Sequence, residues 1–206
     1  DLWHQKNLNL SMAINISAIN LQDPIFPDRV AELLEKFSVP ACYIELEITE
    51  TAIMTDPLRA IENIKKLNGM GVQVSIDDFG TGYSSMAYLQ KLLVAKIKID
   101  KSFVMEMDNN PSDDVIVRST IDLGHNLGLK VVAEGVESQE SWDRLKEMGC
   151  DSAQGYFMSR PISADQFARW IKESPFGSRE ETVHDLDQGM PCKVDFGEEA
   201  KFTRSK

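Results

Sequence analysis

Six short apolar runs alternate along the chain with longer segments of helical period, and most of the short runs are two-faced. In residues 10–17, Met12, Ile14 and Ile16 hold one parity while Ala13, Asn15 and Ser17 hold the other. Ile44, Leu46 and Ile48 oppose Glu45, Glu47 and Thr49 within 43–49, and Val72, Val74 and Ile76 oppose Gln73, Ser75 and Asp77 within 72–77. Within 95–100, Ile97 and Ile99 oppose Lys96, Lys98 and Asp100; shorter runs at 130–134 and 151–154 complete the set. Strands alternating with helices predict an α/β fold on a parallel sheet. A doubly wound open sheet carries helices on both faces and calls for continuously apolar strands. These strands need helices on one face and a polar-tolerant space on the other, which the interior mouth of a TIM-like (β/α) barrel supplies.

The helical segments carry recognisable punctuation. Asp28 is placed to cap a helix through Phe37 that Pro40 closes, and Asp56-Pro57 opens one ending at Gly69. Ser112 opens a segment running to Gly128, Ser138 one ending at Gly149, and Ser163 one ending near Glu173. From Ser174 aliphatics thin out and the period is lost, so 174–206 reads as a flexible C-terminal tail behind one barrel domain, 1–173. Six βα units fall short of the eight that close a barrel of about 250 residues. With Asp1 rather than Met in first place and no helix start before the first run, the expectation is a truncated barrel, a piece of something longer.

Charge and cysteine usage narrow the partners. Against 33 acidic residues stand 22 basic ones, a net charge of −11, and no stretch gathers lysines and arginines into a stripe, which argues against DNA binding. A phosphate ligand would need a bridging cation. Three distant cysteines, Cys42, Cys150 and Cys192, fit a reducing, cytoplasmic compartment better than a disulfide framework. No apolar run is long enough to span a membrane, although a longer parent protein is compatible with a membrane anchor.

The polar parity clusters at the C-terminal strand ends, in Asn15, Glu47, Asp77, Lys98, Glu134 and Gln154, where a barrel gathers its chemistry. An amide oxygen with several carboxylates suits hard cations such as Mg²⁺ or Mn²⁺. His4, His125 and His184 are scattered and lack the spacing of a zinc site. The consecutive Asp77 and Asp78 repel unless a proton or cation lies between them. A pair of metals would resolve that repulsion and serve phosphoester hydrolysis. Lys98, with Asp100 two residues on, is placed either to support a developing phosphorane or to neutralise a charged lumen. The segment from Asp78 to Ser85 carries Gly80 and Gly82 without the spacing of a nucleotide-binding fingerprint, and reads as a mobile loop over the mouth.

Taken in order, Asn15-Ile16-Ser17, Glu47-Ile48-Thr49-Glu50, Asp77 through Ser85, Lys98-Ile99-Asp100, Ala133 through Glu137, and Gln154-Gly155-Tyr156-Phe157 with Pro161 resemble the EAL family of bacterial cyclic di-GMP phosphodiesterases. The resemblance covers about residues 2 to 172. It implies a (β/α) barrel that linearises cyclic di-GMP to pGpG with two Mg²⁺ or Mn²⁺ ions, in bacterial second-messenger signalling. Asn15, Glu47 and Asp77 would bind one metal, and Asp77 and Asp78, with Asp100 nearby, the second. Lys98 and Glu134 would position or activate the nucleophilic water, Gln154 and Pro161 would contact substrate, and Glu50 and Glu137 would anchor loops. A homodimer through the barrel, and upstream sensor or GGDEF-type domains, are the partners implied.

The family's Glu-Ala-Leu strand, with the Arg after it, does not occur; Glu199-Ala200 in the tail lacks both Leu and strand context. The barrel is thus expected to lack its first strand, first helix and second strand, leaving the site incomplete. A non-catalytic cyclic di-GMP receptor is the alternative from another class, and a Mg²⁺-dependent enolate-stabilising barrel is a third reading that does not account for Asp77-Asp78 and its Gly/Ser-rich loop. Missing strands would leave unpaired edges at 10–17 and 151–154, which invite pairing with another chain. The isolated chain is therefore expected to associate, and sedimentation that found a monodisperse monomer would contradict this.

Overall fold

The computed structural model describes residues 10–82 and 86–176. Six strands run β1 (Met12–Ile16), β2 (Ile44–Thr49), β3 (Gln73–Phe79), β4 (Lys96–Ile99), β5 (Lys130–Glu134) and β6 (Ser152–Gln154). They form one parallel sheet in sequential order. Sequential order is the order of a barrel; a doubly wound sheet reverses direction at a switch point. Among the described residues, β1 and β6 each have a single neighbour.

The apolar parity faces the helices. Leu46, Ile48, Val74, Ile76 and Ile97 share one buried cluster with Leu21, Ile53, Ile64 and Leu67. Ile99, Val131, Ala133 and Ala153 share a second with Val104, Val117, Ile121 and Leu145. At the β1 edge Met12 and Ile14 are 45% and 41% exposed, because no further element covers their side among the described residues.

Long helices follow the strands: α2 (Phe26–Lys36), α4 (Pro57–Gly69), α7 (Pro111–Asn126), α8 (Gln139–Glu147) and α9 (Ala164–Glu173). Asp56, Ser138 and Ser163 cap α4, α8 and α9, the last in a capping box with Gln166. Two expected caps are displaced. Helix α2 begins earlier, with Pro27 in its first turn and Asp28 already inside it. Asn110 rather than Ser112 caps α7, accepting from the Ser112 amide at 3.0 Å and leaving Pro111 at the first position, where its missing N–H costs nothing.

A short helix, α5 (Met86–Leu89), follows the segment that ends at Ser85, as expected, and three others went unanticipated: α1 (Ala18–Gln22), α3 (Glu50–Thr55) and α6 (Lys101–Glu106). These three begin directly at a strand exit, where Ser17, Thr49 and Asp100 accept amide hydrogen bonds from Asn20, Ala52 and Ser102. Polar residues at those exits therefore turn the chain as well as face the mouth.

The loop expected from Asp78 gives way to a longer strand. Ser75 and Ile76 pair with Lys96 and Ile97, but Phe79 pairs with Ile99, so Asp77 and Asp78 stand together opposite Lys98. This is a β-bulge, with Asp78 at φ +51°. The left-handed region costs an ordinary side chain roughly 1–2 kcal/mol, and Asp is among the residues that tolerate it. The bulge brings two consecutive carboxylates to one face, which a regular strand forbids.

At the far end of the barrel Asp151 accepts from Val131 N, Lys130 Nζ and His125 Nε2, each at 2.9 Å, fastening β5, β6 and α7 together. These bonds hold its carboxyl below the ordinary value against the opposing effect of burial. Cys42 and Cys150 are both buried. Burial pushes the Cys150 thiol up to about 12, which leaves it unreactive. Of the expected tail, 174–176 pack against the domain, while 177–206 lie outside the described residues, as do His4, His184, Cys192 and Tyr83 to Ser85.

Helix α7 meets β5 without space: a Cβ on Gly124 would lie 2.4 Å from Val131 Cγ2. Gly124→Ala is expected to destabilise by about 1–3 kcal/mol through overpacking, despite a helix-propensity gain of about 1 kcal/mol. Urea unfolding of Gly124→Ala, Val131→Ala and the double variant checks this; the double variant should lose less than the sum of the two.

Candidate active site

The interior of the sheet is organised around one ammonium group. Lys98 Nζ lies 2.6 Å from Glu47 Oε1 on β2, 3.1 Å from Asp77 Oδ1 on β3 and 2.6 Å from Glu134 Oε1 on β5, with its side chain only 6% exposed. Burial opposes the charge on Lys98, but hydrogen bonds to Glu134 and Glu47 outweigh it and raise its pKa above the ordinary value. For Glu134, burial together with the nearby Asp77 and Glu47 charges raises the pKa, and Lys98 pulls in the other direction. A single cation serves three acids.

Asp78 and Asp100 form a second acidic pair at the bulge. Burial, then the Asp77 charge and the hydrogen bond and charge of Asp100, raise the Asp78 pKa. Against burial, the hydroxyl and amide of Ser102 and the hydrogen bond from Asp78 lower that of Asp100. Of the two, Asp78 has the higher proton affinity. Asp77, Asp78 and Glu134 each offer an oxygen, and these oxygens lie within 4.8 Å of one another. An all-oxygen set of carboxylates this crowded fits a hard divalent cation.

The remaining candidates are distributed around this centre. Asn15 is exposed on β1, in register with Glu47. Gln154 donates through Nε2 to Glu134 Oε1 at 2.6 Å, the oxygen that also receives Lys98. Pro161 is exposed between β6 and α9. Glu50, 2% exposed at the start of α3, accepts from Gly80 N at 3.1 Å and Gly82 N at 3.3 Å. A Cβ on Gly82 would lie 3.0 Å from the Glu50 carboxyl, so the loop closes tightly onto it. Glu137 is exposed and makes no hydrogen bond or ion pair with the described residues.

Sequence reasoning passed over three contributors. Lys96 Nζ sits 2.7 Å from Glu45 Oε2, a second buried ion pair one layer deeper, signalled only by shared parity with Lys98 and Glu47. Ser102 binds Asp100 through its hydroxyl and its amide. Arg160 lies 4.6 Å over the Tyr156 ring, beside Pro161.

A sequential parallel sheet with a carboxylate-lined mouth is the arrangement of a (β/α) barrel that gathers oxygen ligands at its strand ends. The chain belongs to the EAL domain family, whose model matches residues 1–161. It is 42% identical over 167 residues to the cyclic di-GMP phosphodiesterase NbdA of Pseudomonas aeruginosa, covering 81% of this chain and 21% of NbdA. To the bifunctional diguanylate cyclase/cyclic di-GMP phosphodiesterase MucR of the same organism it is 39% identical over 156 residues, covering 76% of this chain and 23% of MucR. The solved MucR phosphodiesterase in complex with c-di-GMP superposes with TM-score 0.78 at 38% identity, over 81% of this chain and 68% of that one. BlrP1 of Klebsiella pneumoniae, solved with manganese and cyclic di-GMP, gives TM-score 0.70 at 32% identity, over 78% of this chain and 42% of that one. The chain thus spans between a fifth and under a third of the length of such curated relatives.

Without divalent cations, Lys98→Met leaves Glu47, Asp77 and Glu134 facing one another, an expected loss of about 3–5 kcal/mol at alkaline pH. The raised Glu134 pKa fixes the sign: stability from its protonated form is complete below its ordinary value of 4.5 and is lost as pH rises through the folded value. The variant's deficit should therefore shrink as pH falls toward about 5, which urea titrations in chelator at two pH values measure.

Proposed function

We propose that this chain forms part of a cyclic di-GMP phosphodiesterase, cytoplasmic and acting in bacterial second-messenger signalling, that hydrolyses cyclic di-GMP to pGpG. The observation that carries the reading is the convergence of Glu47, Asp77, Lys98 and Glu134 from four consecutive strands, beside Asp78 and Asp100. The phosphodiesterase names and cyclic di-GMP complexes among the relatives support it. Asn15, Glu47 and Asp77 would hold one Mg²⁺ or Mn²⁺, and Asp77, Asp78 and Asp100 the second. Such ions supply Lewis-acid stabilisation to the phosphoryl oxygens.

The chain's own residues provide the proton handling and orientation. Glu134, with its proton affinity raised, accepts the proton of the attacking water, and Lys98 stays charged and fixes the Glu134 carboxylate. The water oxygen bonds to phosphorus, the bond from phosphorus to the 3′ oxygen breaks, and the proton ends on that 3′ oxygen. Gln154 donates to the same Glu134 oxygen as Lys98, and Pro161 would contact the substrate. Glu50 fixes the loop after the bulge by its two amide contacts.

In its complete setting the domain is a barrel with an N-terminal strand, helix and second strand added to this arc, paired as a homodimer and joined to sensor or GGDEF-type domains. The bifunctional MucR relative supports the last point. With Mn²⁺, the full parent protein is expected to convert cyclic di-GMP to pGpG, and Glu47→Gln to lower turnover by roughly 100-fold. Product chromatography decides it: retained cyclic di-GMP binding with no hydrolysis would replace this reading with a non-catalytic receptor.

A further inference from the structure

We infer that Phe176, beyond the stretch matched by the family model, is a positioning residue for the Gln154–Glu134 contact, an inference that rests on the hydrolytic reading above. Three rings from three segments close on one another: Trp142 of α8, Phe157 of the loop leaving β6, and Phe176 of the turn after α9. The Phe176 centroid lies 5.5 Å from Trp142 and 5.7 Å from Phe157, both edge-on, with Trp142 and Phe157 6.0 Å apart. Edge-to-face pairs fix ring orientation as well as bury area. The turn aims the ring inward, since Ser174 N donates to Trp170 O at 2.8 Å and Phe176 N to Ser174 Oγ at 3.1 Å.

From Phe157 the coupling continues through backbone. Phe157 N donates to Val136 O at 2.9 Å, and Val136 N donates to Gln154 O at 3.1 Å. A Cβ on Gly155 would lie 2.2 Å from Val136 O and 2.3 Å from Val136 N, so the two loops touch main chain to main chain. Val136 is fully buried, in the cluster that Trp142 and Phe157 pack against. The exits of β5 and β6 thus form one unit. Its outer side is closed by Phe176; its inner side presents Glu134 and Gln154, bonded at 2.6 Å. Loosening the β6 exit against the β5 exit at Phe157 would let the Gln154 amide move off Glu134. Displacements of about 1 Å at reacting groups can cost on the order of 100-fold in rate.

The test uses the full parent protein with Mn²⁺ and cyclic di-GMP, comparing Phe176→Ala, the ring-preserving Phe176→Tyr, Gln154→Ala and the double variant. Phe176→Ala is expected to lower kcat about 5- to 20-fold with KM within about 2-fold, and Phe176→Tyr to restore it. In the Gln154→Ala background Phe176→Ala should cost less than about 2-fold more, because the contact it positions is already gone. Equal losses in both backgrounds would mean that the ring merely supports the core and would overturn the inference. A second readout is independent of turnover: the Gln154 side-chain amide, protected in NMR exchange by its bond to Glu134, should lose protection in Phe176→Ala while the Val132 and Ala133 amides keep theirs. Failure of the unmutated protein to hydrolyse cyclic di-GMP counts against the functional reading alone. Unchanged Gln154 protection then counts against Phe176.

Discussion

The ammonium of Lys98 lets a strand face made of acids be an interior. Carboxylates withdrawn from water cost several kcal/mol each unless a partner with good geometry compensates them. Lys98 reaches acids on both sides of its strand, Glu47 and Asp77 before it and Glu134 after it, and Lys96 repeats the arrangement with Glu45 one layer deeper. Strand β4, Lys-Ile-Lys-Ile, states the architecture in four residues: Ile97 and Ile99 enter the helix-facing clusters and the lysines enter the lumen. The other strands' polar parity stays inside because β4 supplies the compensating charge.

The bulge in β3 serves the same centre by breaking the rule that the other strands obey. Period-two alternation sends Asp78 to the helix side, under apolar cover, where an acid has no partner. One extra residue and a left-handed backbone at Asp78 turn it back to the mouth, and Phe79 resumes the apolar parity at 6% exposure. The backbone cost is local, and what it assembles is the acidic group of Asp77, Asp78 and Asp100 at the mouth.

Much of this was legible in the sequence because strand parity and strand order are properties of single residues and their neighbours. Met12 to Ile16, Glu45 to Thr49 and Lys96 to Asp100 show their two faces without any knowledge of what they pair with. The bulge was not legible, since its register depends on the partner strand and Asp77-Asp78 looks the same whether it ends a strand or continues one. Three short helices were missed for a related reason. Ser17, Thr49 and Asp100 are good caps, but five or six residues give no period to detect. Glu50's two amide contacts, the Gln154–Glu134 bond and the Phe176 ring cluster join residues 15 or more positions apart and emerge only from the folded chain.

Sequential strand order also decides how resistance to unfolding is spread through the molecule. Each strand pairs only with strands adjacent in sequence, so cooperativity is built from nearest-neighbour couplings, as in an array of repeats. Loops to be closed are short, and assembly can spread one unit at a time. Fraying starts from the β1 and β6 sides, where only one neighbour holds each strand among the described residues. Strands β3 and β4, which carry the bulge and both lumen lysines, are innermost. The most electrostatically demanding part of the domain is therefore the part that opens last.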